Sequence, residues 1–269
     1  MRAKKMTKLD ATNLTTIGQP LYRKEDGRLL TGKGCYGDDF NLEGQAYAVM
    51  VRSPFPHARI LRIDTGRAKA MDGIRGVFTG MDCLADGLNP IPHAPVPSTH
   101  YDVKLTGPGG MKVFEGPHPL LPIDKVRYVG EAVAVVVADT REQALDAAEA
   151  VEISYEELPF VLDAERALAL GAPTVWEEVS DNVLVDTILG DSHATERAFA
   201  AADHVVEKHF HVGRVTPVAM EPRAGIAHYD EANGRYTLRF TTGGPGVVRQ
   251  KRQYAAVLHP TGAVATRHP

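Results

Sequence analysis

Residues 125–158 read KVRYVGEAVAVVVADTREQALDAAEAVEISYEEL. The run AVAVVVA has the length and β-branched content of a strand covered on both faces. Thr140 with Gln143 then forms a capping box for a helix over REQALDAAEAV. Along that helix Ala144, Leu145, Ala148 and Val151 fall on one side. VEISYEEL follows as a second strand, so the middle of the chain predicts a compact strand–helix–strand unit.

On the N-terminal side, QAYAVMVRS predicts a strand and SPFPHA a proline-broken turn. ARILRIDTGRAKAMDGIRGVFTG predicts a strand, a short helix over its Ala/Met part, and another strand. From Leu84 to about Leu121, Pro, Gly and His dominate, which predicts a long loop. On the C-terminal side, 158–182 reads as a connection. GDSHATERAFAAADHVVEKHFHV predicts an Ala-rich helix and then a strand from about His204. GIAHYD and RYTLRF predict a hairpin turning at Ala232–Asn233–Gly234. After it, TTGGPG opens a basic, helix-like segment over VVRQKRQYAAVL.

Composition bounds the function. At 269 residues, 43% hydrophobic and 24% charged, the chain can bury a core without disulfides or metal. A formal net charge of −4 excludes a non-specific nucleic-acid binder. Cys35 and Cys83 do not form a CxxC pair, which argues against a zinc site or iron–sulfur cluster built by this chain alone. Without a run of about 18 apolar residues, no membrane-spanning helix is expected. The basic N-terminus lacks the apolar core of a signal peptide, so residues 1–17 are expected to be a flexible tail and the location cytoplasmic.

Gly32-Lys33-Gly34-Cys35-Tyr36-Gly37 matches G-x-G-x-x-G, but GDDFNLEGQ follows it where a dinucleotide site needs a helix, so it reads as a turn. His209 and His211 share a strand face, with no third ligand at metal spacing. His57, His93, His100 and His118 lie in or near proline-rich loops without an assigned role. No G-x-S-x-G elbow or acid–base pair stands out. Glycine lets a backbone approach a ligand closely, and free amides opening a helix attract anions. Gly243 and Gly244 are therefore the candidate ligand contacts.

Four stretches carry a family resemblance, in order: YRKEDGRLLTGKGCYGDD, SPFPHARILRIDTGRAKAMDGIRGVFTG, HPLLPIDKVRYVGEAVAVVVADTREQALDAAEAVEISYEELP and MEPRAGIAHYDEANGRYTLRF. From about Gly18 to His259 the chain resembles the N-terminal portion of the molybdopterin-binding large subunit of the xanthine dehydrogenase, aldehyde oxidase and carbon monoxide dehydrogenase family. The resemblance implies an α+β protein: an α/β hammerhead domain over 18–165, a linker over 166–189, and the first, truncated part of a molybdenum-cofactor-binding domain over 190–269.

It also implies oxidation of aldehydes, N-heterocycles or carbon monoxide with water as oxygen source. The molybdenum–molybdopterin cofactor would serve the complete enzyme, with [2Fe–2S] clusters and FAD on partner subunits. The family's later glycine-rich loop and catalytic glutamate are not found in these residues. The chain alone is therefore expected to bind no cofactor and to be inactive until a further molybdopterin-binding polypeptide, an iron–sulfur subunit and an FAD subunit join it. Self-association, or contact with a partner, through apolar surface after about Gly190 is also expected. The competing expectation is a non-catalytic homologue that keeps the hammerhead as a folding or interaction module. Against the family pattern T-x-Q-x-P-H-x-V-R, aligned on Thr241, Pro245, Val248 and Arg249, Gly243 stands at the Gln and Gly246 at the His. A glycine offers only backbone contact there.

Overall fold

A computed structural model describes residues 22–91, 114, 116–188, 190–216, 218, 221, 223–240 and 263–266, the last four by backbone alone. After a helical turn, α1 (Asp26–Leu29), and a 3-10 turn at Gly37–Asp39, the elements are β1 (Tyr47–Arg52), β2 (Ala58–Asp64), α2 (Gly66–Lys69), β3 (Ile74–Thr79) and α3 (Gly80–Ala85). Then come β4 (Lys125–Val126), β5 (Ala132–Ala138), α4 (Arg141–Glu149), β6 (Glu152–Glu157), α5 (Ala164–Ala167) and α6 (Ser192–Ala200). The hairpin β7 (Gly225–Asp230) and β8 (Arg235–Phe240) precedes β9 (Ala263–Thr266). The mixture of helix and sheet is the α+β class expected above.

The strand–helix–strand unit exists, but its two strands enter different sheets. β5 is the centre of β1-β5-β3, antiparallel to both neighbours, whereas β6 lies on the edge of β4-β2-β6. Two cores share residues across this division. Val77, Val136 and Ala147 form one, Ala58, Val126 and Val133 the other, and Val51 and Ile153 pack against both. The two sheets thus bury one another's edges, which is how short three-stranded sheets gain enough apolar contact to be stable.

Two-face burial of AVAVVVA holds only at its start. Val133 and Ala134 are fully buried, but Val135 and Val137 are half-buried. Met50, Val135 and Phe78 lie in one row across β1, β5 and β3, and Met50 and Phe78 are exposed. The strand is apolar along its whole length because the second sheet covers one end of that face while α4 covers the other face.

The helix begins where its capping box predicts: the Gln143 N–H donates to Thr140 Oγ1 at 3.2 Å and the Gln143 side chain accepts from the Thr140 N–H at 3.1 Å. Its buried stripe holds Ala144, Val151 and the partly buried Ala148 as expected, but departs from the expectation at Leu145. Ala144 and Ala147 are fully buried, with Ala150 beyond the last turn, while Leu145 is exposed. Small side chains let α4 approach the sheet closely, and the wider Leu145 is turned outward. The strand expected from about His204 is not formed: residues 202–216 are non-helical, non-strand and exposed. A strand needs a neighbour to complete its ladder, and among the described residues none lies beside this segment.

Candidate functional site

The hairpin that leads to Gly243 and Gly244 is in full antiparallel register, Gly225↔Phe240 through Asp230↔Arg235. Its turn is tied by Asp230. Oδ1 of Asp230 accepts from the backbone N–H of Ala232 at 3.0 Å and Oδ2 from the Asn233 carboxamide at 2.5 Å. These hydrogen bonds, the Asn233 side chain first, hold the Asp230 carboxyl below its ordinary range. Gly234 closes the turn at φ 61°, a left-handed conformation that favours glycine. The Tyr229 and Tyr236 rings stack across the strands at 4.5 Å. β9 lies parallel to β8, Tyr236↔Ala263 through Arg239↔Thr266, a pairing the sequence did not announce.

Ile226, His228, Thr237 and Arg239 form two cross-strand pairs on one face of the hairpin. With Leu42 they line a cavity of about 200 Å³. The N-terminal region holds this hairpin from one side. The Gly37 N–H donates to Glu221 Oε1 at 3.1 Å, and the Arg239 guanidinium lies 5.6 Å from the Phe40 ring centroid. The glycine-rich stretch at 32–37 is thus a turn, as its sequence context predicts. The N–H of its last residue binds Glu221, four residues before β7. Gly243 and Gly244 themselves, with Gly246, His93 and His100, lie outside the described residues.

The remaining histidines do not converge. His209 and His211 sit in the exposed extended segment, with His209 Nε2 at 3.6 Å from Glu165. His57 is buried with Nδ1 at 2.8 Å from the Pro159 carbonyl. A carbonyl can only accept, so Nδ1 donates, and Nε2 is buried with no hydrogen-bond partner among the described residues. No group of three His, Cys, Asp or Glu able to hold a metal occurs among the described residues. Cys35 is exposed and Cys83 half-buried, both as free thiols. Burial, then the charges of Asp82 and Asp86, push the Cys83 thiol up and make it a poor nucleophile.

The perturbed groups that sequence reasoning missed cluster instead beneath the 127–131 turn. Glu131 Oε2 accepts from the Arg127 N–H at 2.6 Å, yet burial raises the Glu131 pKa above the glutamate range. The Tyr155 hydroxyl is buried, and its pKa too is raised, chiefly by burial and against the opposing pull of Ser53. The one available signal was an acid placed directly before an apolar run. These groups lie among the residues that join the first two sheets.

Comparison with known proteins agrees with this layout. The profile for "Aldehyde oxidase and xanthine dehydrogenase, a/b hammerhead domain" matches residues 31–159. The profile for "Molybdopterin cofactor-binding domain" matches residues 175–265. The nicotine 6-hydroxylase large subunit of Paenarthrobacter nicotinovorans is 37% identical over 237 residues, 87% of this chain and 27% of that protein. The carbon monoxide dehydrogenase large chain of Afipia carboxidovorans is 34% identical over 89% of this chain and 29% of its own length. Quinoline 2-oxidoreductase from Pseudomonas putida 86 superposes with a TM-score of 0.78 at 32% identity, over 93% of this chain and 30% of that one. The chain spans less than a third of each of these relatives. It belongs to the molybdopterin-binding large-subunit family of xanthine dehydrogenase, aldehyde oxidase and carbon monoxide dehydrogenase, with a hammerhead domain and part of a molybdopterin cofactor-binding domain.

Proposed function

We propose that these residues serve a molybdenum hydroxylase-type oxidoreductase, as the platform against which its cofactor-binding domain is assembled. The observation that carries this reading is the order of the two matched domains along one chain, 31–159 and then 175–265. The bound cofactor would supply the redox chemistry, and the protein orientation and charge placement. The unit boundaries 18–165, 166–189 and 190–269 belong to this proposal. So do [2Fe–2S] and FAD on partner subunits and a cytoplasmic location.

Gly243 and Gly244 would meet the cofactor by backbone N–H groups alone, since glycine has no side chain to offer where Gln is common in the family. The test is co-expression with a polypeptide bearing the rest of the large-subunit pattern and with iron–sulfur and FAD subunits. Metal analysis would be followed by an assay of aldehyde or N-heterocycle oxidation in isotope-labelled water. Stoichiometric molybdenum and label in the product are expected. A correctly assembled complex that never holds molybdenum sinks the reading, and leaves the chain as a folding or interaction module.

A further inference from the structure

Lys125 lies on β4 opposite Arg59, and its side chain is only 9% exposed. A buried ammonium is costly unless it is paired. Its carboxylate comes from far along the chain: Nζ donates to Glu177 Oε1 at 2.6 Å. Beside this pair the Arg127 guanidinium lies 3.8 Å from the centroid of the Trp176 ring, and its Nε is buried without a partner among the described residues. The indole face therefore does for Arg127 part of what an acceptor would do.

Trp176 also meets Phe114 edge-on, with centroids 5.6 Å apart. Gly116 lets the ring come closer still: a Cβ there would lie 2.7 Å from Trp176 Cζ2. The segment bearing Trp176 is itself stiffened, because the Asn182 carboxamide donates to the Ala167 and Pro173 carbonyls, each at 3.1 Å. Three independent contacts thus converge on two adjacent residues of what the sequence reads as a plain connection.

We propose that residues 173–182 are a rigid latch, seated on the hammerhead by Trp176 and Glu177, which fixes where the second module begins. The latch does not depend on the molybdenum reading, since every group in it belongs to this chain. It makes the hammerhead the frame that sets the approach of residues 190–240, with the Gly37–Glu221 contact as a second point of attachment.

Trp176 is the sole tryptophan among the 269 residues, so its fluorescence reports the latch directly. In the purified chain, acrylamide should quench it severalfold less than free N-acetyltryptophanamide. Arg127→Ala, Glu177→Lys and Gly116→Val should each raise quenching toward the free value. Each should also speed proteolytic cleavage between residues 160 and 190 severalfold, with far-UV circular dichroism retained. The wild-type quenching stands as a test even where a variant does not fold. Wild-type quenching equal to that of the free indole overturns the latch, as do folded variants that leave both readouts unchanged.

Discussion

Glu131 is only 6% exposed, and burial favours its neutral form over the opposing pull of the Arg127 N–H and charge. A carboxyl raised in the fold contributes stability below the ordinary glutamate range, and that contribution is lost as pH rises through the raised value. The wild-type melting temperature should therefore fall relative to Glu131→Gln as pH rises above the ordinary glutamate value of about 4.3, with the amide still accepting from Arg127. Parallel pH profiles in thermal denaturation would refute this. Because the comparison is a difference, the opposite trend from Glu177, whose carboxyl the Lys125 hydrogen bond and charge lower, cancels. Gly73 is a second residue with a defined cost. It sits at φ 77°, and a Cβ there would run into the Gln143 side-chain amide. Gly73→Ala should lose about 1–2 kcal/mol to backbone strain and more to that clash. Because the obstacle is the end of a flexible side chain, the Gly73→Ala/Gln143→Ala pair should lose less than the sum of its singles in urea denaturation.

At the scale of elements, the helix after AVAVVVA was legible because its capping box is a local device written within four residues. The buried side of it was legible at Ala144, Ala148 and Val151 but not at Leu145 or Ala147. Periodicity places Ala144, Leu145, Ala148 and Val151 on one stripe, but the sheet takes a side that includes the small Ala147 and leaves Leu145 exposed. Ala147→Leu should therefore cost about 1–3 kcal/mol by overpacking against β1 and β5, whereas Leu145→Ala should stay within about 0.5 kcal/mol. Equal losses for the two in chemical denaturation would mean that the helix is seated differently. The hairpin was readable for the same local reason as the cap, through Asn233–Gly234 between two β-rich runs. The parallel partner β9 was not, since pairing across intervening chain leaves no local pattern.

At the scale of the whole molecule, the extended segment after α6 presents Val206, Phe210, Val212 and Val215 at 90%, 74%, 87% and 87% exposure. Clustered apolar side chains left exposed to water favour association. The chain should sediment with a concentration-dependent component that Phe210→Ser with Val212→Ser reduces. A strictly monomeric wild type would contradict this. The sequence by itself determined the α+β class, the capped helix, the hairpin and the family, because each is carried by contiguous residues or by stretches in a set order. Only the tertiary structure decided that β5 and β6 part into separate sheets, that Glu131 is a buried acid and that Gly37 meets Glu221. It also decided that Trp176 seats on Arg127. These are contacts between residues far apart in the chain, and their free energy depends on burial and approach that no local spacing encodes. The candidate site at Gly243 and Gly244 rests on local glycine chemistry and family pattern alone, for the walls that would define a pocket are tertiary.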